Sequence, residues 1–206
     1  MRIGILGSGG MAKSLGGAWT AAGHDVMIGG RDEGRAKQAA AGIGAAHGTI
    51  EEAARHGQAA LVAVPAQAAP DLVRANAHNL TGRTVIDCTN SVVPTAGGLM
   101  LDGEPMAGQL AAAAPAAYLV KAFNLCHVSI WTLRPPVFEN NPLAVPFCTD
   151  HPTATAAVEA LIRSIGCTPA PCGGLARAAY LEATAALAIG LWWSGSEPRA
   201  AFPVHA

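Results

Sequence analysis

The stretch Arg2-Ile3-Gly4-Ile5-Leu6-Gly7-Ser8-Gly9-Gly10-Met11-Ala12 opens with a short apolar run and passes directly into closely spaced glycines. The apolar run predicts a first strand over residues 2–6, and the following segment predicts a helix over residues 11–22. Between them stands a G-x-G-x-x-A pattern, in which Gly7 permits the tight turn and Gly9 lets the backbone approach a pyrophosphate. Because the amino end of a helix attracts anions, this turn predicts a site for a dinucleotide.

The end of the predicted second strand, residues 25–28, indicates which dinucleotide binds. A carboxylate about 20 residues past the glycine turn would accept the ribose hydroxyls of NAD, but this chain has Gly29-Gly30-Arg31 there. Gly30 leaves room for a 2′-phosphate, Arg31 offers it a permanently charged bidentate partner, and Arg35 lies one helical turn later. We therefore predict NADP(H). The alternative is that both arginines belong to a solvated helix face.

The rest of the chain alternates short apolar runs with Ala-rich segments, which is typical of β-α-β units around a parallel sheet. We predict an α/β fold of the Rossmann type, with a doubly wound, mostly parallel sheet and a small C-terminal α/β extension. The NADP-binding domain would span residues 1–127, and the extension, a lid or dimer contact, residues 128–206. Further strands are predicted over residues 59–64, 84–87, 118–123, 144–148 and 168–172, and helices over 32–41, 71–77, 106–114, 153–165 and 176–193. Residues 48–53 predict a short strand edge and a helical turn capped by Thr49. A loop is expected over 93–105, and an irregular link at Pro135, Pro136 and Pro142.

Ligands of open parallel sheets lie beyond the carboxyl ends of the strands. Those ends are predicted at Val64-Pro65-Ala66, Cys88-Thr89-Asn90-Ser91 and Phe123-Asn124. Pro65 would end its strand and present backbone to the nicotinamide, while the side chains of Asn90 and Asn124 supply neutral hydrogen bonds. These segments contain no nucleophile–base pair and no carboxylate pair, which favours hydride transfer, since that reaction depends on positioning and exclusion of water.

Two residues near this rim could donate a proton. His127 lies just beyond a predicted strand end and is the candidate catalytic residue. Lys121 lies inside the strand, and we interpret it as a structural lysine whose ammonium group reaches water at the sheet edge. Farther along, Arg177 and Glu182 are predicted to form the polar face of the last helix.

Composition excludes several classes of protein. The chain has 206 residues, of which 51% are hydrophobic and 13% charged, with a formal net charge of −1, so a nucleic-acid-binding surface is not expected. The apolar stretch over residues 175–193 is interrupted by two charged residues, and we predict no membrane span. The amino end lacks a signal peptide's cleavage region, which favours the cytoplasm. Five scattered cysteines and seven histidines without metal-binding spacing predict reduced thiols and no metal site.

Several motifs together resemble the family of NADP oxidoreductases that depend on coenzyme F420, a deazaflavin. They are Ile3-Gly4-Ile5-Leu6-Gly7, Gly23-His24-Asp25-Val26, Gly30-Arg31-Asp32, Ala63-Val64-Pro65, Val85-Ile86-Asp87-Cys88-Thr89-Asn90, Val120-Lys121-Ala122-Phe123-Asn124, Gly173-Gly174-Leu175-Ala176-Arg177 and Leu181-Glu182. The chain departs from the pattern at Ser91, where proline is common, at Thr149-Asp150-His151, where Gly-Asp-Asp is common, and at Gly30, where Ser or Thr is common. These departures leave the second substrate open.

The resemblance implies a Rossmann domain that binds NADP(H) and forms a homodimer. It also implies roles for individual residues. Pyrophosphate would lie on Ser8, Gly9, Gly10 and Met11, the 2′-phosphate on Gly30, Arg31 and Arg35, and the nicotinamide beside the backbone of Val64, Pro65 and Ala122.

The leading hypothesis is an NADPH-dependent oxidoreductase that transfers hydride between NADP(H) and a small-molecule acceptor, with coenzyme F420 as the favoured partner. One alternative is NADPH-dependent reduction of an imine, a carbonyl or a flavin, which would need a proton donor such as His127. A second alternative is a non-catalytic module that senses NADP(H).

Overall fold

A computed structural model of the protein describes residues 1–196, and they form an α/β fold around one large sheet. The strands are β1 Arg2–Leu6, β2 Asp25–Gly29, β3 Ala46–Gly48, β4 Ala59–Val62, β5 Thr84–Asp87, β6 Val92–Thr95, β7 Gly98–Leu101, β8 Tyr118–Ala122, β9 Val137–Phe138, β10 Asn141–Pro142, β11 Ala144–Cys148 and β12 Thr168–Pro171. The helices are α1 Gly10–Ala21, α2 Glu33–Ala41, α3 Ile50–His56, α4 Ala69–Ala75, α5 Ala77–Leu80, α6 Met106–Ala113, α7 Pro152–Ser164 and α8 Ala178–Trp193.

The sheet has eight strands in the order β12-β11-β8-β5-β4-β1-β2-β3. All neighbours pair in parallel except β11, which runs antiparallel to β8. The order from β3 to β8 is that of a doubly wound dinucleotide-binding sheet, so the predicted fold class is confirmed. Two strands from the C-terminal part, β11 and β12, extend the same sheet beyond β8.

Helices cover both faces of the sheet. Helices α1, α2 and α7 pack on one face, where Trp19 is fully buried and its indole N–H donates to the carbonyl of Leu161 at 3.3 Å. Helices α3, α4 and α6 pack on the other. A Cβ added at Gly4 would lie 1.8 Å from the carbonyl oxygen of Ala53, so glycine in β1 is what lets α3 approach the sheet. In the described range, no helix combines the length and the apolarity needed to cross a membrane.

Four local predictions were wrong. The loop expected over residues 93–105 contains the hairpin β6–β7, whose turn uses Gly98 at a φ of 109° and a hydrogen bond from the amide of Gly97 to Thr95 Oγ1. Strand β4 ends at Val62, two residues before the predicted end. The helix expected over 71–77 is divided into α4 and α5 at Asn76, whose side chain donates to the carbonyl of Leu72. The region from Pro135 to Pro142, expected to be irregular, contains the short hairpin β9–β10.

Candidate active site

The glycine turn lies at the carboxyl end of the central strand β1. Gly7 has a φ of 130°, and a Cβ added there would lie 2.2 Å from the carbonyl oxygen of Ala63, so only glycine fits. Gly9 faces open space, since a Cβ added to it would meet nothing within 4 Å. Within the described residues no side chain caps the amino end of α1. Its first backbone N–H groups are therefore available to an anion.

The predicted 2′-phosphate residues lie next to this turn. A Cβ added at Gly30 would lie 3.4 Å from Ser8 Oγ, so the end of β2 and the glycine turn are adjacent. Arg31 and Arg35 are both exposed. Asp32 caps α2, because its Oδ1 accepts the amide N–H of Arg35 at 3.0 Å. The Asp32 carboxylate, next to Arg31 in the chain, thus caps the helix, while Arg31 and Arg35 are exposed to solvent.

A cavity of about 960 Å³ opens beyond the carboxyl ends of β5 and β8. Met11, in the first turn of α1, belongs to its wall and connects it to the glycine turn. The volume of the cavity lies at the upper end of the range of small-molecule sites, and most of the residues that line the cavity are apolar. They are Met11, Cys88, Asn90, Phe123, Asn124, Leu125, Cys126, His127, Val128, Ile130, Phe138, Asn141, Pro142, Leu143, Ala144, Ala188, Ile189, Trp192 and Trp193.

A second depression of about 250 Å³ lies between the carboxyl end of α1 and residues 133–135 and 164–166. It is remote from the glycine turn and from the carboxyl ends of β5 and β8. Since ligands of doubly wound sheets bind at those strand ends, we assign the candidate site to the larger cavity.

Two predicted rim residues form a reciprocal amide pair at the cavity wall. Asn90 Nδ2 donates to the main-chain oxygen of Asn124 at 2.8 Å, and Asn124 Nδ2 donates to Asn90 Oδ1 at 2.9 Å. Asn124 Nδ2 also donates to the carbonyl oxygen of Leu181, which lies just after the start of α8. This pair joins the ends of two strands to the C-terminal helix.

The other residues predicted to lie near the nicotinamide differ in position and in burial. Val64 lies beside the glycine turn, where its Cγ1 would be 3.1 Å from a Cβ added at Gly7. Pro65 is exposed, and Ala66 and Ala122 are buried. None of these four residues belongs to the described wall of the large cavity.

Phe123 turns the chain into the cavity. Its φ of 64° lies in the left-handed region, which is rare for an aromatic residue and stores backbone strain. The ring is held edge to face between Trp19 and Trp131, with centroid distances of 5.7 and 5.3 Å. This buried aromatic cluster fixes the direction in which Asn124 leaves the sheet.

His127, the candidate proton donor, is exposed and lies on the cavity wall. Its Nδ1 is 2.9 Å from Ser129 Oγ, and its ring centroid is 5.6 Å from that of Trp192. The hydroxyl group and the indole fix the imidazole at the opening of the cavity. A molecule in the cavity could receive a proton from this position.

The two cysteines of the cavity wall are not activated nucleophiles. Burial, with a smaller contribution from the neighbouring Asp87 carboxylate, raises the pKa of the Cys88 thiol to about 12. Burial also raises the pKa of Cys126 to about 11. All five cysteines are free, and both wall thiols stay protonated at neutral pH. Among the described residues, no group of three or more His, Cys, Asp or Glu side chains is placed to hold a metal ion.

Sequence reasoning missed a buried ionic cluster behind the cavity. Lys121 Nζ is fully buried, not at a sheet edge, and lies 2.9 Å from Asp87 Oδ2 and 3.0 Å from Glu182 Oε1. The two Glu182 oxygens also accept the amide N–H groups of Met106 and Ala107 at the start of α6. The prediction that Glu182 belongs to a polar helix face was therefore wrong. Arg177, by contrast, is exposed.

The cluster is fully hydrogen-bonded on its strand side. Asp87 Oδ1 accepts the amide and the hydroxyl of Thr89, and Lys121 Nζ also donates to the carbonyl of Thr89 at 2.6 Å. Two carboxylates share one ammonium group and two helix N–H donors, which compensates their removal from water. A lysine inside a strand and a single carboxylate in an apolar helix were the available signals for this pairing.

The strand order, the glycine turn and the adjoining cavity define a dinucleotide-binding protein of the Rossmann class. Residues 2–91 match the model of the family described as NADP oxidoreductase coenzyme F420-dependent. This match covers the amino-terminal part of the chain and agrees with the resemblance inferred from the sequence motifs.

Similar proteins include one curated relative and several solved structures. The chain is 31% identical to metalloreductase STEAP3 of Rattus norvegicus over 185 residues, which cover 88% of this chain and 36% of that protein. It thus spans about a third of that relative. An Arthrobacter sp. FB24 protein, provisionally described as an F420-dependent NADP-reductase, has a TM-score of 0.85 at 23% identity over 96% of each chain. An imine reductase of Aspergillus terreus has a TM-score of 0.70 at 19% identity over 94% of this chain and 63% of that one.

Proposed function

We propose that the protein is an NADPH-dependent oxidoreductase that transfers hydride between NADP(H) and a small molecule in the large cavity. The observation that carries this proposal is the position of Met11, which lies in the first turn of α1 and in the cavity wall. A dinucleotide on the glycine turn and a second molecule in the cavity would then be neighbours, as hydride transfer requires.

The residues of the chain would bind the dinucleotide, orient it and exclude water from the site. The open amino end of α1 would hold the pyrophosphate beside Gly9, and Arg31 and Arg35 would hold the 2′-phosphate. When bound, NADPH supplies the hydride. Apolar side chains around the cavity keep water away from the reacting groups, and the amide pair of Asn90 and Asn124 offers polar contacts at the wall.

We propose coenzyme F420 as the acceptor. The family description supports this choice, and the aromatic and aliphatic wall suits a flat ring system such as a deazaflavin. The test is to mix the protein with NADPH and oxidised F420 and to follow the deazaflavin absorbance. Bleaching that depends on both protein and NADPH is expected. Absence of bleaching at stoichiometric protein would remove F420 as the substrate.

A second candidate is NADPH-dependent reduction of an imine, a carbonyl or a flavin. His127 supports it, because reduction of a C=N or C=O bond requires a proton as well as a hydride, and this imidazole lies on the cavity wall. Consumption of NADPH with a panel of cyclic imines, ketones and free flavins is the test. Turnover with any acceptor would also exclude a module that only senses NADP(H).

We further propose that the protein is a homodimer and acts in the cytoplasm. Helix α8 supports the first proposal, since Tyr180, Leu187 and Trp193 on it are between 54% and 66% exposed, which is unusual for large apolar side chains of a monomer. The cysteine pattern of the sequence supports the second. Light scattering of Leu187→Glu against wild type tests the dimer, and an unchanged mass would reject α8 as the contact.

A further inference from the structure

We infer that Cys148 and Cys172 form a reversible disulfide within the chain when the protein meets a thiol oxidant such as a low-molecular-weight disulfide. Cys148 is the last residue of β11, and Cys172 directly follows β12. Both lie at the edge of the sheet that is remote from the glycine turn. The inference concerns a modification site and does not depend on which acceptor the cavity binds.

The pairing of β11 with β12 places the two cysteines opposite each other. The last registered pair of these parallel strands directly precedes Cys148 and Cys172. On one side of the cysteines, the amide of Cys172 donates to the carbonyl oxygen of Phe147 at 2.8 Å. On the other side, the amide of Thr149 donates to the carbonyl oxygen of Gly173 at 3.1 Å. Neighbouring strands lie about 4.7–4.9 Å apart, which is inside the range of about 4.4–6.8 Å between Cα atoms joined by a disulfide.

The two thiols also lie on the same face of the sheet. Phe147 packs in the core that α1 and α7 cover. Because side chains alternate along a strand, Cys148 points the other way, where it packs with Ala178 and Leu181 of α8. Cys172 packs against this same small cluster. The two side chains are therefore neighbours beside the first turn of α8, as a disulfide requires.

The two cysteines differ in exposure, and this assigns them different roles. Cys172 is half-buried between the exposed residues Pro171 and Gly173, so an oxidant reaches it first. Cys148 is fully buried, and burial, with a smaller contribution from the adjacent Cys172, raises the pKa of its thiol. Cys172 is therefore the thiol that attacks the oxidant, and Cys148 is the thiol that completes the disulfide.

With glutathione disulfide as the oxidant, the reaction consists of two exchanges. The Cys172 thiolate attacks one sulfur of the oxidant, the S–S bond breaks, and one glutathione leaves as its thiolate. The Cys148 thiolate then attacks the Cys172 sulfur of this mixed disulfide and releases the second glutathione. The two protons of the cysteines pass through solvent to the departing thiolates. Two protein thiols are oxidised to one disulfide, and one glutathione disulfide is reduced to two thiols.

The position of the disulfide connects it with the candidate site. Cys172 is followed by Gly173, Gly174 and then α8, whose last turns line the large cavity. A bond to Cys148 would fix the strand end from which the chain enters α8. In proteins of a reducing compartment, disulfides are usually transient and serve catalysis or redox sensing. This pair fits the second use.

The test treats reduced wild-type protein with glutathione disulfide, stops the exchange with acid and counts the thiols after unfolding. We expect the loss of two of the five thiols, no bound glutathione in the mass spectrum, and full recovery with dithiothreitol. Cys148→Ala should stop at a glutathione adduct on Cys172, and Cys172→Ala should keep all its thiols. The matched control removes the two other thiols that lie near each other, as Cys126→Ala/Cys167→Ala, and should still lose two thiols.

The wild-type count requires no variant, so a folding defect of a variant would not affect it. Five thiols after treatment, or a stable glutathione adduct on wild-type protein, would overturn the inference. A loss of two thiols that persists in Cys172→Ala, or that is absent from the double variant, would assign the disulfide to another pair and overturn it as well. A disulfide-linked dimer on a non-reducing gel would do the same, since the bond would then join two chains.

Discussion

Glu182 Oε1 lies 3.0 Å from Lys121 Nζ, so a carboxylate of helix α8 is paired with a buried lysine of the central strand β8. The same helix supplies Ala188, Ile189, Trp192 and Trp193 to the cavity wall. Helix α8 is therefore held at its start by a buried ion pair and forms the boundary of the candidate site at its end. The shape of the cavity depends on this long-range contact.

We predict that Lys121→Met destabilises the protein by about 3–5 kcal/mol, because it leaves Asp87 and Glu182 buried without their cation. Urea unfolding followed by circular dichroism measures the loss. The matched control is Arg163→Met, which breaks the more exposed pair with Glu159 and should cost at most about 1 kcal/mol. Equal losses for the two variants would contradict a structural role of the cluster.

The elements of the fold that depend on neighbouring residues could be predicted from the sequence, whereas those that depend on distant contacts could not. The bounds of β1, β5 and β11 were predicted to the residue, because each is a short apolar run between polar or turn-forming residues. The capping of α3 was equally local, since Thr49 and Glu52 exchange the reciprocal hydrogen bonds of a capping box. The hairpin β6–β7 was not predicted, because Pro94, Gly97 and Gly98 are typical of a loop. Its contact with α8 is long-range and cannot be read from the neighbouring residues.

The candidate site likewise contains residues that could be predicted from the sequence and residues that could not. The glycine turn and the rim at Asn90 and Asn124 were predictable, because a doubly wound fold brings the carboxyl ends of its strands together. The roles of Lys121 and Glu182 were not, because a charge in an apolar segment has the same appearance whether it reaches water or a distant partner. Only the three-dimensional pairing distinguishes these outcomes.

We predict that Gly9→Val binds NADPH at least about a hundredfold more weakly while it unfolds at nearly the same temperature. Gly9 has a φ of −82° and open space around its Cα, so a side chain is tolerated by the fold and occupies the space proposed for the pyrophosphate. Fluorescence titration and thermal melting measure the two properties. Gly108→Ala in α6, where an added Cβ also meets nothing within 4 Å, should leave the Kd unchanged. Unaltered binding by Gly9→Val would reject the glycine turn as the dinucleotide site.

We predict that Arg31→Ala lowers the preference for NADPH over NADH by about tenfold or more. A guanidinium–phosphate hydrogen bond is worth roughly 1.5–3 kcal/mol, and its loss affects only the cofactor that carries the 2′-phosphate. Arg35→Ala should have a similar or smaller effect. Arg177→Ala, an exposed arginine at the start of α8, serves as the control. If wild-type protein binds NADH and NADPH equally well, the assignment of these arginines is wrong.

We predict that the free energy of unfolding falls more steeply above pH 9 in wild-type protein than in Cys88→Ala. The folded pKa of Cys88 is raised to about 12 from 9.0, so the unfolded chain loses the thiol proton first as the pH rises. Stability from this group is complete below pH 9 and is lost progressively toward pH 12, by about 2 kcal/mol between pH 9 and pH 10.5. Urea unfolding at several pH values tests this. Parallel profiles for the two proteins would exclude the effect.

We predict that His127→Ala affects catalysis according to the acceptor. Reduction of a deazaflavin should proceed at nearly the wild-type rate, because hydride transfer there needs no proton from this residue. Reduction of an imine or a ketone should slow by about a hundredfold, since positioned proton donors contribute roughly that much. Ser129→Ala, which removes the hydroxyl 2.9 Å from Nδ1, should cause a smaller loss with the same acceptors only. Comparison of kcat for a deazaflavin and a cyclic imine in the three proteins decides the matter. A uniform loss with both acceptors would indicate that His127 shapes the cavity through its contact with Trp192 and does not supply a proton.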